Sequence, residues 1–381
     1  MENIIAKNKS ECCGCTACVS VCPVFAITMK NDREGFCYPS VDETICVHCG
    51  LCLKTCSFIS KQPITSNITS AYVAKHRDLT VRMNSRSGGV FVAVSDWILQ
   101  MKGVIYGCIL DDNLDVVHIR ADNKKTRDLM CKSKYVQSNM DGVIPQIAKD
   151  LINNRYVLYS GTGCQVEGVL SALKVKNINC TKLYTIDLVC HGVPSPLIFK
   201  EYIRWVQMKY KGKITSFDFR DKQERGWDSH IESYIINGRK YSGNTWRDLF
   251  NSNLCLRPAC YNCKYCTVGR NSDLTIADAW GIKSALPSFY DKSGVSMLLV
   301  QSEKGQRLLE TVIDACEIAE LPLEKMMQYN LKNPTKPKGN RTAFWKVYYK
   351  YGFSALIRYN RVFSYWYKLK SRIKHQLCRA K

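Results

Sequence analysis

Eight cysteines near the N-terminus fall into two copies of one spacing. Cys12, Cys15, Cys18 and Cys22 read Cys-x-x-Cys-x-x-Cys-x-x-x-Cys, with Pro23 next. Cys46, Cys49, Cys52 and Cys56 repeat it, with Ser57 in place of the proline. Three thiolates on one tight loop cap three corners of a four-iron cube, and the fourth must arrive from elsewhere. In two-cluster runs of this kind the last cysteine of each run ligates the other cluster. The expected ligand sets are therefore Cys12, Cys15, Cys18 and Cys56 for one [4Fe–4S] cluster, and Cys46, Cys49, Cys52 and Cys22 for the second. Such a unit moves electrons one at a time. Disulfides suit a short secreted chain, and zinc needs four ligands per site with no crossed register. Cys13 and Cys37 lie outside the register and are expected to be buried packing residues.

A second group of cysteines comprises Cys190, Cys255, Cys260, Cys263 and Cys266, the last three reading Cys-x-x-Cys-x-x-Cys. By spacing alone, zinc and a third iron–sulfur cluster stand as equal alternatives. Three further segments could face a ligand. Ser85-Arg86-Ser87-Gly88-Gly89 opens a helix, where outward-pointing amides favour a phosphate; a plain N-cap reads the same way. Ser133 to Ser138 offers Lys134, an aromatic face in Tyr135, and hydroxyls, as a nucleotide site or a solvated loop would. Gly161-Thr162-Gly163-Cys164 is a glycine-rich turn that places Cys164 at a helix start, where the local field favours thiolate.

The elements that must position these residues alternate. Expected strands are Ala26–Met29, Ala71–His76, Val104–Leu110, Tyr156–Ser160, Leu183–Val189, Leu274–Ala277 and Val295–Val300. Expected helices are Gly88–Met101, Val143–Asn153, Val166–Lys174, Leu197–Tyr210 and Lys304–Cys316. Asn237-Gly238 marks a hairpin. The pattern predicts an α+β and α/β protein: a small ferredoxin-like unit over residues 1–60, then a mixed-sheet α/β domain over 68–324. The polar stretch Ser60–Asn67 reads as a short linker between separable folds.

The 381-residue chain is too long for a ferredoxin alone, and 46% hydrophobic content permits a real core. Its 21 cysteines imply a reducing compartment, the cytoplasm by default. No apolar run reaches the roughly 18 residues of a membrane span. The net charge of +22 is concentrated late: residues 325–381 carry 15 Lys or Arg and no acid, leaving +7 for the rest. This basic, aromatic-rich tail is expected to be helical. It suits an anionic membrane surface or an acidic redox partner, with packing against the body as the plainer reading. Nucleic acid is an unfavoured partner, because the bases lie outside the folded motifs.

Several segments together resemble the coenzyme F-420 hydrogenase/dehydrogenase beta-subunit family. They are Ser87–Phe91, Ser133–Ser138, Gly161–Val166, Asp187–Ser195, Phe219–Lys222, Arg257–Cys263 and Asp278–Gly281, in family order over residues 68–320. Members with an N-terminal two-cluster domain also match residues 1–60, and the chain is similar to a bacterial subgroup often associated with polysaccharide-biosynthesis loci. The resemblance implies FAD and one [4Fe–4S] cluster in the large domain. The recurring family cysteines match Cys164, Cys190, Cys260 and Cys263, with Cys255 and Cys266 in reserve. It implies a flavin side formed by Ser87, Gly88, Gly89, Lys134, Tyr135, Gln137 and Ser138, with Gly161 and Thr162 near phosphates. Gly163 stands where the family usually has proline, which loosens the turn at Cys164.

The resulting expectation is an iron–sulfur flavoprotein oxidoreductase. It would pass electrons between a ferredoxin-type partner, its clusters, FAD and a small-molecule substrate. An electron-transfer subunit serving a partner enzyme is the alternative, and a non-enzymatic cluster-containing sensor is a third. No general acid stands out; His191 and Asp278 are candidates for which a structural role is the plainer reading.

Overall fold

The computed structural model describes residues 4, 8–59, 68, 70–223 and 225–379, with side chains through Asn360. Each N-terminal cysteine run bends around two left-handed residues at equivalent positions. They are Gly14 and Thr16 in the first run (φ 73° and 62°) and His48 and Gly50 in the second (φ 51° and 72°). Turns of this hand coil the backbone tightly enough for three thiolates to converge. A short helix follows each loop, α1 (Ala17–Ser20) and later α2 (Leu51–Thr55). Between them β1 (Ile27–Asn31) pairs antiparallel with β2 (Cys37–Val41).

The larger unit continues with β3 (Ser70–His76), α3 (Leu79–Asn84), α4 (Val90–Gln100), β4 (Val104–Leu110), β5 (Val116–Ala121), α5 (Lys124–Asp128) and α6 (Val143–Ile152). Next come β6 (Val157–Thr162), α7 (Gly163–Val175), β7 (Leu183–Leu188), α8 (Pro196–Tyr210), β8 (Ile214–Asp218), β9 (Glu232–Ile236), β10 (Arg239–Gly243) and α9 (Thr245–Ser252). Then follow β11 (Leu274–Asp278), α10 (Ile282–Ala285), β12 (Ser296–Val300), α11 (Glu303–Thr311), β13 (Cys316–Pro322) and α12 (Arg341–Arg379).

The main sheet runs β13-β3-β12-β11-β7-β6-β4-β5, and β8 to β10 form a smaller sheet. Its centre, β4, β6, β7 and β11, is parallel, whereas both flanks are antiparallel. The central strands carry unbroken buried runs, Val104–Tyr106, Val157–Tyr159 and Leu183–Ile186, as strands covered on both faces require. Helices α4 and α11 cover one face and α6 and α7 the other. Asn237 and Gly238 take positive φ (50° and 74°) in the β9–β10 turn, as the Asn-Gly pair predicts.

This is the expected mixed α/β fold with a ferredoxin-like N-terminal unit, with local differences. The helix expected to reach Cys316 stops at Thr311, and Cys316 opens β13 opposite His76. Strand β13 is one edge of the sheet and carries two exposed residues, which dilutes its apolar signal; β5, the other edge, has none exposed. The N-terminal unit is also not a loosely tethered one. Ala17 and Val21 share a core with Val143, Ile144, Val166 and Val169. Thr16 Oγ1 donates to Met140 O at 3.3 Å, and Ser171 Oγ donates to Thr55 O at 2.8 Å. The stretch read as a linker lies outside the described residues.

The start of the tail belongs to the body. Phe344, Trp345, Phe353, Leu356 and Ile357 are buried against α8 and α9, and α12 bends at Gly352 (φ 74°). Arg341 forks onto the Glu34 carboxylate in the N-terminal unit. Among the described residues no helix is long and apolar enough to cross a membrane.

Candidate redox site

The twelve cysteines singled out by spacing and resemblance form three groups. Cys22 joins Cys46, Cys49 and Cys52 around one small pocket, which is the crossed register expected for the second cluster. Cys12, Cys15, Cys18 and Cys56 form the first group. Burial raises the Cys18 thiol well above its usual value, and the adjacent Cys15, Cys12 and Cys56 raise it further. The third group, Cys164, Cys190, Cys260 and Cys263, lines one chamber together with Cys13 and Cys266.

The sequence folds locally to build that chamber. Cys164 sits at the first turn of α7, where Thr162 and Gln165 form a reciprocal capping box. Cys190 follows the end of β7, and Cys260 and Cys263 come from the loop after α9. Sulfurs here accept hydrogen bonds: Gly192 N to Cys190 at 3.3 Å and Val193 N to Cys260 at 3.4 Å. Thr162 Oγ1 lies 3.2 Å from Cys164 Sγ. A hydrogen bond from Cys13 brings the Cys164 thiol down to about 7 against burial, with help from Thr162 and Arg257. Burial pushes Cys260 up to about 12. Four buried or half-buried cysteines that converge on one chamber are the donor set of a metal centre, whose positive charge would favour their thiolate forms. The donor set fits one.

Of the reserves, Cys266 stays in the chamber, and Cys255 leaves it. Cys255 is fully buried in an apolar core, with Sγ 3.8 Å from Leu249 O. Cys37 is not the buried packing residue expected: it is only partly buried, and its thiol donates to Asn31 Oδ1 at 3.0 Å on the exposed side of the β1–β2 pair. Cys13 does not sit in apolar packing. It lies between the first group and the chamber, against Cys15 and Cys164.

Beside the chamber is a cavity of about 720 Å³ at the carboxyl ends of the parallel strands, where open α/β sheets bind ligands. Gly107 and Cys108 of β4, Ser160 to Thr162 of β6, Leu188 of β7 and Ile276 to Asp278 of β11 reach it. Thr162, Gln165, Cys190, His191, Gly192 and Val193 line both spaces, so the cavity and the chamber share a wall.

Ser87, Gly89, Lys134, Tyr135, Ser138, Gly161 and Thr162 line the cavity. Gly88 lies beneath it, its N–H bonded to Ser296 Oγ at 2.9 Å, in a space too small for a side chain. Gln137 departs from the expectation. It lines the cysteine chamber, not the cavity, because Arg257 Nη1 holds its Oε1 at 2.8 Å while its Nε2 donates to Cys13 O. Lys134 donates to Leu129 O and Cys131 O, clamping its own loop. His191 lines both spaces and meets Asn253 Oδ1 at 2.7 Å through Nε2. Asp278 accepts from Ser87 Oγ, from Arg220 at 2.9 Å and from Trp227 Nε1 at 3.1 Å, with Arg86 at 3.6 Å. Burial pushes this carboxyl up, but Arg86 and Arg220, together with the hydrogen bonds from Ser87 and Trp227, more than offset it and hold it below the usual range. Sequence reasoning missed Arg86, His118, Arg220, His230 and Trp280 in the cavity, and Arg257 in the chamber. Arg220, Arg257 and Trp280 fall within family-like segments and Arg86 within Ser85–Gly89, whereas His118 and His230 carried no such signal.

Residues 154–325 match the family described as the C-terminal part of the coenzyme F420 hydrogenase/dehydrogenase beta subunit. Residues 11–58 match the 4Fe-4S dicluster domain. The chain thus resembles that beta-subunit family over residues 154–325 and carries a 4Fe-4S dicluster domain at its N-terminus. It is therefore an iron–sulfur protein. A curated relative is the coenzyme F420-dependent sulfite reductase of Methanocaldococcus jannaschii, 23% identical over 333 residues. That match covers 84% of this chain and 49% of the relative, so the chain spans about half the length of the curated relative it matches. A solved chain of the F420-reducing [NiFe] hydrogenase complex from Methanosarcina barkeri is 12% identical, with a TM-score of 0.48. The likeness covers 82% of this chain and 94% of that one.

Proposed function

We propose that the protein is an iron–sulfur flavoprotein oxidoreductase. In this reading the two N-terminal clusters and a third [4Fe–4S] cluster on Cys164, Cys190, Cys260 and Cys263 lead electrons to FAD in the large cavity. The observation that carries it is the shared wall: Cys190, a proposed ligand, faces both the chamber and the cavity. A cavity of about 720 Å³ is within the size range of cofactor sites. Bound flavin would exchange single electrons with the clusters and an electron pair with a substrate. Ser87, Gly89, Tyr135 and Ser138 would orient it, and Gly161 and Thr162 at the α7 N-terminus would face its phosphates. A ferredoxin or similar redox protein would serve as partner.

The test is anaerobic purification with quantified iron, sulfide and flavin. Twelve iron atoms and one FAD per chain are expected. Eight iron atoms with zinc present would remove the third cluster, and an iron-replete protein that takes up no FAD would remove the flavin. A second reading is an electron-transfer subunit that serves a partner enzyme and has no substrate of its own. It draws on the match covering only half of the sulfite reductase. Reduction of the clusters by a donor, with no small-molecule turnover until a partner is added, would favour it. Beyond Asn360, the tail's remaining bases would hold the protein at an anionic membrane surface from the cytoplasmic side.

A further inference from the structure

The guanidinium of Arg257 is wholly buried, and every partner it has among the described residues is neutral in form or a cysteine. Nε donates to Cys12 O at 2.6 Å, Nη1 to Gln137 Oε1 at 2.8 Å, and Nη2 to Cys37 O at 2.8 Å. Nη2 also lies 3.5 Å from Cys12 Sγ. Its plane rests 4.4 Å from the Tyr38 ring and 5.4 Å from that of Phe36. Among the described residues no carboxylate comes within ion-pair distance of it.

A buried cation without a counter-charge is costly. The fold nevertheless builds a seat for this one. Gly14 takes a left-handed conformation beside it, and a Cβ there would lie 2.8 Å from Arg257 Nη1 and 2.6 Å from Gln137 Nε2. Gln137 in turn ties the guanidinium to the carbonyl of Cys13 at 2.9 Å. The negative charge that faces Arg257 is therefore sulfur. Cys12 of the first group lies on one side, and the chamber of Cys164, Cys190, Cys260 and Cys263, which Arg257 also lines, lies on the other.

We propose that Arg257 is a charge-setting, positioning residue between the first and third clusters, raising the reduction potentials of both and keeping them matched for electron passage. The proposal rests on the third-cluster reading. A fixed positive charge stabilises the added electron on whichever side it resides, and net charge and hydrogen bonds to sulfur are the levers that set such potentials. One electron leaves the first centre, which is oxidised, and arrives at the third, which is reduced; no bond or proton changes. The second site, Cys22, Cys46, Cys49 and Cys52, makes no contact with Arg257 among the described residues and supplies an internal control.

The experiment is a redox titration of the holoprotein followed by electron paramagnetic resonance, with iron counted in every sample. Arg257→Gln removes the charge, and Arg257→Lys keeps it without the fork. Gln137→Glu places a carboxylate against the guanidinium and leaves Arg257 in position. Arg257→Gln and Gln137→Glu are expected to lower the equilibrium constant for reducing the first and third clusters at least tenfold, which is 59 mV for one electron. The second cluster should not move, and Arg257→Lys should stay nearer the parent. Should Arg257→Gln lose iron, Gln137→Glu alone decides. An iron-replete variant with unchanged first- and third-cluster potentials overturns the proposal, as does an equal shift in Arg257→Gln and Arg257→Lys. Failure of the third-cluster reading shows separately, as eight iron atoms and only two cluster signals in the parent protein.

Discussion

A methyl group on Gly168 would lie 2.7 Å from both Cβ and Sγ of Cys15. Helix α7 of the large domain thus runs directly against Cys15, a proposed ligand of the first cluster, and only a residue without a side chain allows it. Gly168→Ala gains about 1 kcal/mol of helix propensity. Overpacking of about 1–3 kcal/mol opposes that gain, because a ligand sulfur cannot swing aside as a free side chain does. The expected outcome is a folded large domain with the first cluster lost or weakened, read as fewer iron atoms per chain and faster bleaching in air. Full iron content with unchanged air stability would mean that the two elements can slide apart freely.

The Asp278 carboxylate is the anion that lets Arg86 and Arg220 sit together at the cavity wall. Both guanidinium groups are nearly buried, with side chains 10% and 7% exposed. Asp278→Asn keeps the shape and removes the charge, so two cations face each other without compensation. Breaking a buried pair in this way costs about 3–5 kcal/mol. The drop should appear in the denaturant midpoint measured under anaerobic conditions, and FAD retention should fall with it. A variant as stable as the parent would show that water already screens this cluster.

Much of this arrangement was legible because strong local signals carried it. The doubled cysteine spacing forecast both N-terminal groups, and the structure brings Cys22 to the second run and Cys56 to the first. The apolar runs of β4, β6 and β7 were visible because both faces of those strands are covered. Other features depend on contacts between residues far apart in sequence. Arg257 meets Cys12 across 245 positions, and no spacing forecasts that. Gln137 was read with its neighbours as facing a flavin, yet a single residue's direction on a loop has no periodic signal. Cys13 looked like packing because it was out of register, and only the approach of α7 puts Cys164 beside it. The tail's charge was read correctly from sequence. Its first aromatics belong to the core, because Phe344 and Trp345 find α8 and α9.

Acid should destabilise the protein through its buried histidines. Burial lowers His118 to about 4, only partly opposed by its bond to Ser160 O, and its Nδ1 has no hydrogen-bond partner among the described residues. Burial and the charges of Arg220, Arg86 and Arg247 bring His230 to about 3. Unfolded histidine titrates near 6.5, so between about 6.5 and 4 the unfolded chain binds more protons than the native one. Stability therefore rises with pH across that window and is lost as pH falls through it. For His118 the loss amounts to about 3 kcal/mol by pH 4, at about 1.4 kcal/mol per unit. His118→Gln can still donate to Ser160 O and should flatten this part of the stability profile. An unchanged slope in that variant would assign the acid sensitivity to carboxylates instead.

The basic tail needs a cut that respects the body. Thr335 Oγ1 donates to His191 O at 2.5 Å, and Asn253 Nδ2 donates to Lys336 O at 2.8 Å, so truncation before residue 340 would disturb the loop that carries Cys190. Removal of residues 341–360 would expose Phe344, Trp345, Phe353, Leu356 and Ile357. Truncation after Asn360 avoids both. It removes seven Lys or Arg residues and no acid, along with Phe363, Tyr365, Trp366 and Tyr367. Each base near an anionic surface contributes about 1 kcal/mol, and the attraction reaches only about 10 Å at 0.1 M salt. The full chain is expected to co-sediment with vesicles containing anionic lipid at low salt and to be released as salt rises. The truncated chain should stay in the supernatant with its iron and flavin content unchanged. A full chain that ignores such vesicles at low salt would remove the membrane role, and loss of iron on truncation would make the tail's distal half part of the fold.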